Sequence, residues 1–164
     1  MTSKAYNVLF LCTGNSARSI LAEGILNCSA NGAFKAYSAG SHPSGQVRPE
    51  ALKQLELAGI PAANLRSKSW DEFAVPGAPE MNFVFTVCDN AAHEVCPIWP
   101  GHPMTAHWGI PDPASVLGSP EEIDHAFHAA FVSLDRRIRL FLSLPVATLE
   151  KLAMLRELDN IGRQ

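Results

Sequence analysis

An unbroken apolar run, Val8-Leu9-Phe10-Leu11-Cys12, passes without a spacer into Thr13-Gly14-Asn15-Ser16-Ala17-Arg18-Ser19. Apolar residues at successive positions mark a strand, Tyr6 to Leu11, that is buried on both faces, as in a parallel sheet. Helical spacing follows over about Ala17 to Asn31, where Ile20, Leu21, Gly24, Ile25 and Cys28 share an apolar face and Gly32 stops the helix. On that face Cys28 reads as a core thiol. Strand, tight turn and helix make the opening unit of an α/β domain.

The rest of the chain repeats the alternation. Phe34 to Ala39 reads as a second strand, followed by a Gly/Pro/Ser-rich loop through Gly45. Pro49 opens a helix that ends at Gly59. Ser69-Trp70-Asp71-Glu72 has capping-box spacing and predicts a short helix. Met81 to Val87 and Thr105 to Gly109 read as the third and fourth strands. A second capping box, Ser119-Pro120-Glu121-Glu122, leads a long helix with Phe127, Phe131, Leu134, Ile138 and Phe141 on one face. Pro145 breaks the chain before a last amphipathic helix carrying Leu149, Leu152, Leu155 and Leu158. The expectation is an α/β fold: a four-stranded parallel sheet, doubly wound, in three α/β/α layers. Its 164 residues make one domain, a main part over 1–143 with a C-terminal helical extension over 144–164. Ligands bind such sheets beyond the carboxyl ends of the strands, which directs attention to the turn after strand one.

A formal net charge of −3 with no run of Lys or Arg argues against nucleic acid or an anionic membrane as partner. No apolar run approaches the length of a membrane span, and nothing near Met1 reads as a signal peptide, so the expected location is the cytoplasm. There thiols stay reduced unless chemistry or a metal employs them. Cys12, Cys88 and Cys96 therefore need a chemical explanation.

The turn reads C-x5-R-S, a pattern expected by chance about 0.02 times in a chain of this composition. Its chemistry explains its spacing. A short loop entering a helix turns successive amides, here those of Thr13, Gly14, Asn15, Ser16, Ala17 and Arg18, toward a tetrahedral oxyanion. Gly14 and Asn15 tolerate the left-handed backbone that such a cradle uses. Arg18 can pair two oxygens of the anion with its fork. Cys12 at the floor is favoured as thiolate by helix dipole, amides and Arg18, with Ser19 placed to donate a hydroxyl. No Gly-Lys-Ser/Thr follows, so this is no nucleotide P-loop.

Cys12 to Ser19 resembles the signature loop of the low-molecular-weight protein tyrosine phosphatase fold, and Asp112-Pro113 matches that fold's general-acid dipeptide. The resemblance spans about Tyr6 to Leu142. Asp112, in the proline-flanked turn Ile110-Pro111-Asp112-Pro113, is thereby a candidate acid for a leaving oxygen.

Cys88 ends the third strand, which in a parallel sheet puts it on the same edge as Cys12. A phosphatase needs only the first cysteine; reduction of an oxyanion needs a second thiol to resolve the adduct and often a third to carry the disulfide outward. Cys88-Asp89-Asn90-Ala91-Ala92-His93-Glu94-Val95-Cys96 resembles the relay of the arsenate reductases built on this fold, one residue longer between its cysteines. The resemblance implies attack of Cys12 on arsenate, a Cys12–Cys88 disulfide, and transfer to Cys88–Cys96. It implies no bound cofactor or metal, and an external thiol reductant: thioredoxin, or glutaredoxin with glutathione. A helix over residues 89–96 would hold the last two thiols about 12 Å apart, so it would have to unravel. Some relatives bind potassium beside the loop. Asn15, Glu23 and Ser38 match its ligands, while Lys68 stands where the last, an acid, is expected. The Lys68 ammonium then replaces the cation against Glu23.

The competing enzyme is a phosphotyrosine phosphatase using Cys12, Arg18 and Asp112. Ala114-Ser115 lacks the aromatic pair that phosphatases of this fold place there. A non-catalytic oxyanion or redox sensor is a third class. Zinc held by Cys88, Cys96 and one of His93, His102 or His107 is a fourth, with spacing wrong for a ribbon or finger. His42, His125 and His128 read as surface residues, and Trp70 and Trp108 as core.

Overall fold

The computed structural model describes residues 5–88, 99, 103–145 and 151–164. Cys96, His93 and His102 lie outside the described residues, as does the segment whose unravelling the relay would require.

Four strands form one all-parallel sheet in the order β2-β1-β3-β4: β1 Tyr6–Cys12, β2 Phe34–Gly40, β3 Phe83–Thr86 and β4 Met104–His107. The last two are shorter than their apolar runs, because pairing stops at Thr86–His107 while Val87, Trp108 and Ile110 go on packing beyond the sheet. The helices among the described residues are α1 Arg18–Ser29, α2 Pro49–Leu57, α3 Pro120–Leu142 and α4 Lys151–Gly162.

Period-two alternation divides the sheet between two cores. Val8, Phe10, Phe83, Phe85 and Ala106 face the larger one, which takes in the apolar stripes of α1 to α4. There Phe85 stacks on Trp108 with centroids 4.0 Å apart, and Phe141 of α3 sets its edge to both. Each such ring, fully buried, contributes about 1.5–3 kcal/mol. Leu9, Leu11 and Val84 face the smaller core with Phe73, Met81 and Trp99. Both faces of the sheet are covered; among the described residues the four helices lie on the first, and the second is closed by Phe73, Met81 and Trp99.

Local chemistry explains most element ends. Ser119 and Glu122 form the reciprocal capping box at the start of α3. The Ser69 box does not close. Its hydroxyl accepts from the Asp71 amide, but Glu72 is drawn into a two-pronged pair with Arg66, and only a single 3-10 turn, Trp70–Phe73, results. Trp70 is half-buried at the edge of the smaller core, against Trp99.

One expectation about packing changes. Cys28 is exposed: the last turn of α1 overhangs a cavity of about 360 Å³ walled by Ile60, Pro61 and Leu65, so its position on the apolar stripe meets no second layer. The final helix packs into the domain. Met154, Leu158 and Ile161 enter the main core. The Trp108 indole N–H donates to the Leu158 carbonyl at 3.1 Å, and a Cβ at Gly162 would stand 2.4 Å from the His107 carbonyl oxygen. No helix among the described residues is long and apolar enough to cross a membrane.

Candidate active site

The loop joining β1 to α1 sits at the carboxyl edge of the sheet, and its neighbours set its shape. The Thr13 carbonyl accepts the His42 amide (2.9 Å), Gly14 the Ser44 amide (3.0 Å) and the Ser67 hydroxyl (3.2 Å), and Ser16 the Arg48 amide (2.8 Å). Carbonyls drawn outward turn the N–H ends of the same peptide planes inward. Among the described residues the amides of Asn15, Ser16 and Ala17 have no protein acceptor. That is the donor set an oxyanion would take. Of the two residues expected in left-handed backbone, Asn15 alone adopts it, at φ 46°. Gly14 does not.

Buried contacts beneath the loop lock it. The Asn15 side chain donates from Nδ2 to Ser19 Oγ (2.8 Å), and its Oδ1 accepts the Lys68 backbone N–H (2.9 Å). Ser19 Oγ thus accepts from Asn15, and among the described residues no hydrogen bond joins it to Cys12. Ser38 donates to the Glu23 carboxylate, and Lys68 Nζ lies 3.7 Å from Glu23 Oε1 while donating to the Arg66 carbonyl. Burial pushes the Glu23 carboxyl above its usual range and the Lys68 ammonium below its own; the charge of each opposes the shift of the other. Sequence reasoning missed Gly40 here. A Cβ on it would meet the Thr13 oxygen at 2.4 Å and the Cys12 oxygen at 2.8 Å, so the loop lies against bare backbone at the end of β2. A glycine closing a strand was the available signal.

Cys12 and Cys88 meet. They end β1 and follow β3, strands paired directly in register Leu11↔Thr86, and both are buried. Cys88 Sγ accepts the Thr13 N–H at 3.3 Å and lies 3.7 Å from the Thr13 hydroxyl. The Cys12 thiol is pushed up rather than down, first by its hydrogen bond with the Cys88 thiol and then by burial. Arg18 and the Gly14 amide pull the other way, as expected for the loop, but the neighbouring thiol outweighs them: two thiols in contact resist losing both protons.

Arg18 opens α1 and reaches across to the loop after β4. Its Nη1 donates to the Ile110 carbonyl (3.0 Å) and its Nη2 lies 3.7 Å from Asp112 Oδ2. The other Asp112 oxygen accepts the Ala114 N–H (2.9 Å), capping the 3-10 turn Pro113–Ser115. Asp112 is therefore both a turn cap and a carboxylate held at the site. Cys12, Arg18, Cys88 and Asp112 come together at one edge, with Thr13 to Ala17 as its wall and Ser19, Glu23 and Lys68 as its support. His42, His125 and His128 are exposed; His128 pairs with Gln54 Oε1.

A sequence profile for low molecular weight phosphotyrosine protein phosphatases matches residues 7–154. The chain is 35% identical over 134 residues to the arsenate reductase of Shouchella clausii, across 82% of this chain and 93% of that one. Two solved structures share the fold. Arsenate reductase from Archaeoglobus fulgidus superposes with a TM-score of 0.65 at 24% identity, over 84% of this chain and 99% of its own. The thioredoxin-dependent arsenate reductase of Corynebacterium glutamicum gives 0.56 at 23% identity, over 86% and 65%. With the C-x5-R loop, the four parallel strands and the acid turn in one frame, the chain belongs to the low molecular weight phosphotyrosine protein phosphatase family.

Proposed function

We propose that this protein is an arsenate reductase in which Cys12, Cys88 and Cys96 form a thiol–disulfide relay. The observation that carries the reading is the contact between Cys12 and Cys88, because hydrolysis has no use for a second thiol beside the nucleophile.

Arsenate is held by the amides of Asn15, Ser16 and Ala17 and by the Arg18 fork, the Thr13 N–H being taken by Cys88 Sγ. Cys12 gives its thiol proton to an arsenate oxygen and attacks arsenic as thiolate, and that oxygen leaves as water with a further proton from Asp112. The Cys88 thiolate then attacks Cys12 Sγ. The sulfur–arsenic bond breaks, its electron pair stays on arsenic, and arsenite departs from a Cys12–Cys88 disulfide. Cys96 attacks Cys88, frees Cys12 and leaves a Cys88–Cys96 disulfide, which an external dithiol reduces. A thioredoxin-type donor fits a three-cysteine relay; glutaredoxin with glutathione is the alternative. Glu23 and Lys68 support the loop from below without taking part in the chemistry.

The test is arsenate-dependent NADPH oxidation with thioredoxin and thioredoxin reductase, for wild type, Cys88→Ser and Cys96→Ser. Loss in both variants supports the relay. Turnover kept without Cys96 assigns the last step to a glutathione-type donor. Hydrolysis of an aryl phosphate with no arsenate turnover under any donor makes the protein a phosphatase and overturns the reading.

A further inference from the structure

Arg137 is a charged residue that the chemistry above does not use. It lies on α3 inside the main core, 7% exposed, and no side-chain carboxylate among the described residues pairs with it. Its Nη1 donates to the Trp108 carbonyl at 2.6 Å and the Gly109 carbonyl at 3.2 Å, and its Nη2 to the Gln164 carbonyl at 3.3 Å. A guanidinium leaves water at a large cost, so a merely space-filling position favours an apolar side chain.

The two carbonyls from residues 108 and 109 explain what it does there. They belong to the peptide planes on either side of the Gly109 Cα, so one guanidinium nitrogen fixes both dihedrals of a residue with no side chain to restrict them. Upstream, Trp108 is already anchored: its N–H to Thr86, its indole N–H to Leu158, its ring on Phe85. Downstream come the Ile110 carbonyl, which takes Arg18, and Asp112. Gly109 is the residue without a side chain between the fixed strand end and the acid turn, and the Ile110 N–H, which donates to the Val87 carbonyl at 3.2 Å, holds its far side together with Arg137. We infer that Arg137 is a positioning residue for Asp112, clamping the Gly109 joint so that the carboxyl meets Arg18 and the reacting oxygen. The inference rests on Asp112 as proton donor.

The experiment follows arsenate turnover in wild type, Arg137→Met, Arg137→Lys, Asp112→Asn and the Met/Asn double variant, each checked for folding by thermal unfolding. Arg137→Met is expected to lower kcat about tenfold, a fraction of what a general acid supplies, with KM for arsenate within about twofold. Arg137→Lys, which can still donate to the Gly109 flanks, recovers most of it. On the Asp112→Asn background the Met substitution changes kcat by less than about twofold, because the group it positions is already gone. An equal loss on both backgrounds, or a KM rise matching the kcat loss, makes Arg137 purely structural and overturns the inference. Asp112→Asn at the wild-type rate removes the acid reading itself, and is read from that variant alone. Should Arg137→Met fail to fold, Arg137→Gln, whose shorter amide does not span both carbonyls, carries the same comparison with and without Asp112→Asn.

Discussion

Lys68 sets its ammonium 3.7 Å from the Glu23 carboxylate beneath the oxyanion loop, both side chains nearly cut off from solvent, while its own N–H holds Asn15 in left-handed backbone. A positive charge is thus part of the chain at the place where a bound cation would neutralise Glu23. Exchanging potassium for sodium or choline at constant ionic strength should leave the KM for arsenate unchanged. A several-fold fall in KM with potassium would show that the ammonium is not enough.

The same pair fixes a pH dependence. Burial lifts the folded Glu23 carboxyl above its unfolded value, so the folded state holds a proton the unfolded chain releases. Stability from that group is present at low pH and is lost as pH rises through the lifted value. Lys68 opposes the lift, so Lys68→Met raises it further. Urea denaturation at pH 5 and pH 8 should show a larger loss at pH 8 for Lys68→Met than for wild type; equal losses would mean that the pair is uncoupled.

Cys88 holds the Cys12 thiol in its protonated form, and Cys88→Ala removes the first cause of that shift. Arg18 and the Gly14 amide then act unopposed by a neighbouring thiol. Iodoacetamide labelling of Cys12, read from its own peptide by mass spectrometry, should move to lower pH in Cys88→Ala. An unmoved profile would assign the shift to burial alone.

Gly40→Ala drives a methyl into the Thr13 and Cys12 carbonyl oxygens, backbone atoms with no flexible end to yield. The expected cost is about 1–3 kcal/mol in urea denaturation, from overpacking. Phosphate, bound as a stand-in for arsenate, should weaken about tenfold by calorimetry, since the amide cradle shifts with the loop. Unchanged phosphate affinity would separate Gly40 from the site.

What could be read from residue order was what is local or topological. The C-x5-R-S turn, the Ser119 box and the shared edge of Cys12 and Cys88 each follow from a short pattern or from strands running parallel. Contacts between distant segments left weaker marks. Arg137 sits in an amphipathic helix among other arginines and looks like a surface charge; only the folded chain brings it to Gly109. Glu72 had the spacing for a capping box but lay within reach of Arg66, and the stronger charged pair won. Cys28 kept its place on the stripe, yet no element arrived to cover it.

Because β1 pairs directly with β3, whatever side chain stands at position 88 is delivered to the floor of the oxyanion loop without any adjustment of the loop itself. Hydrolysis and reduction on this scaffold are then separated by very little in evolutionary terms. A lineage can cross between them by changing the residue beyond one strand, adding a second relay thiol and recruiting an electron donor, leaving cradle, acid and core as they were.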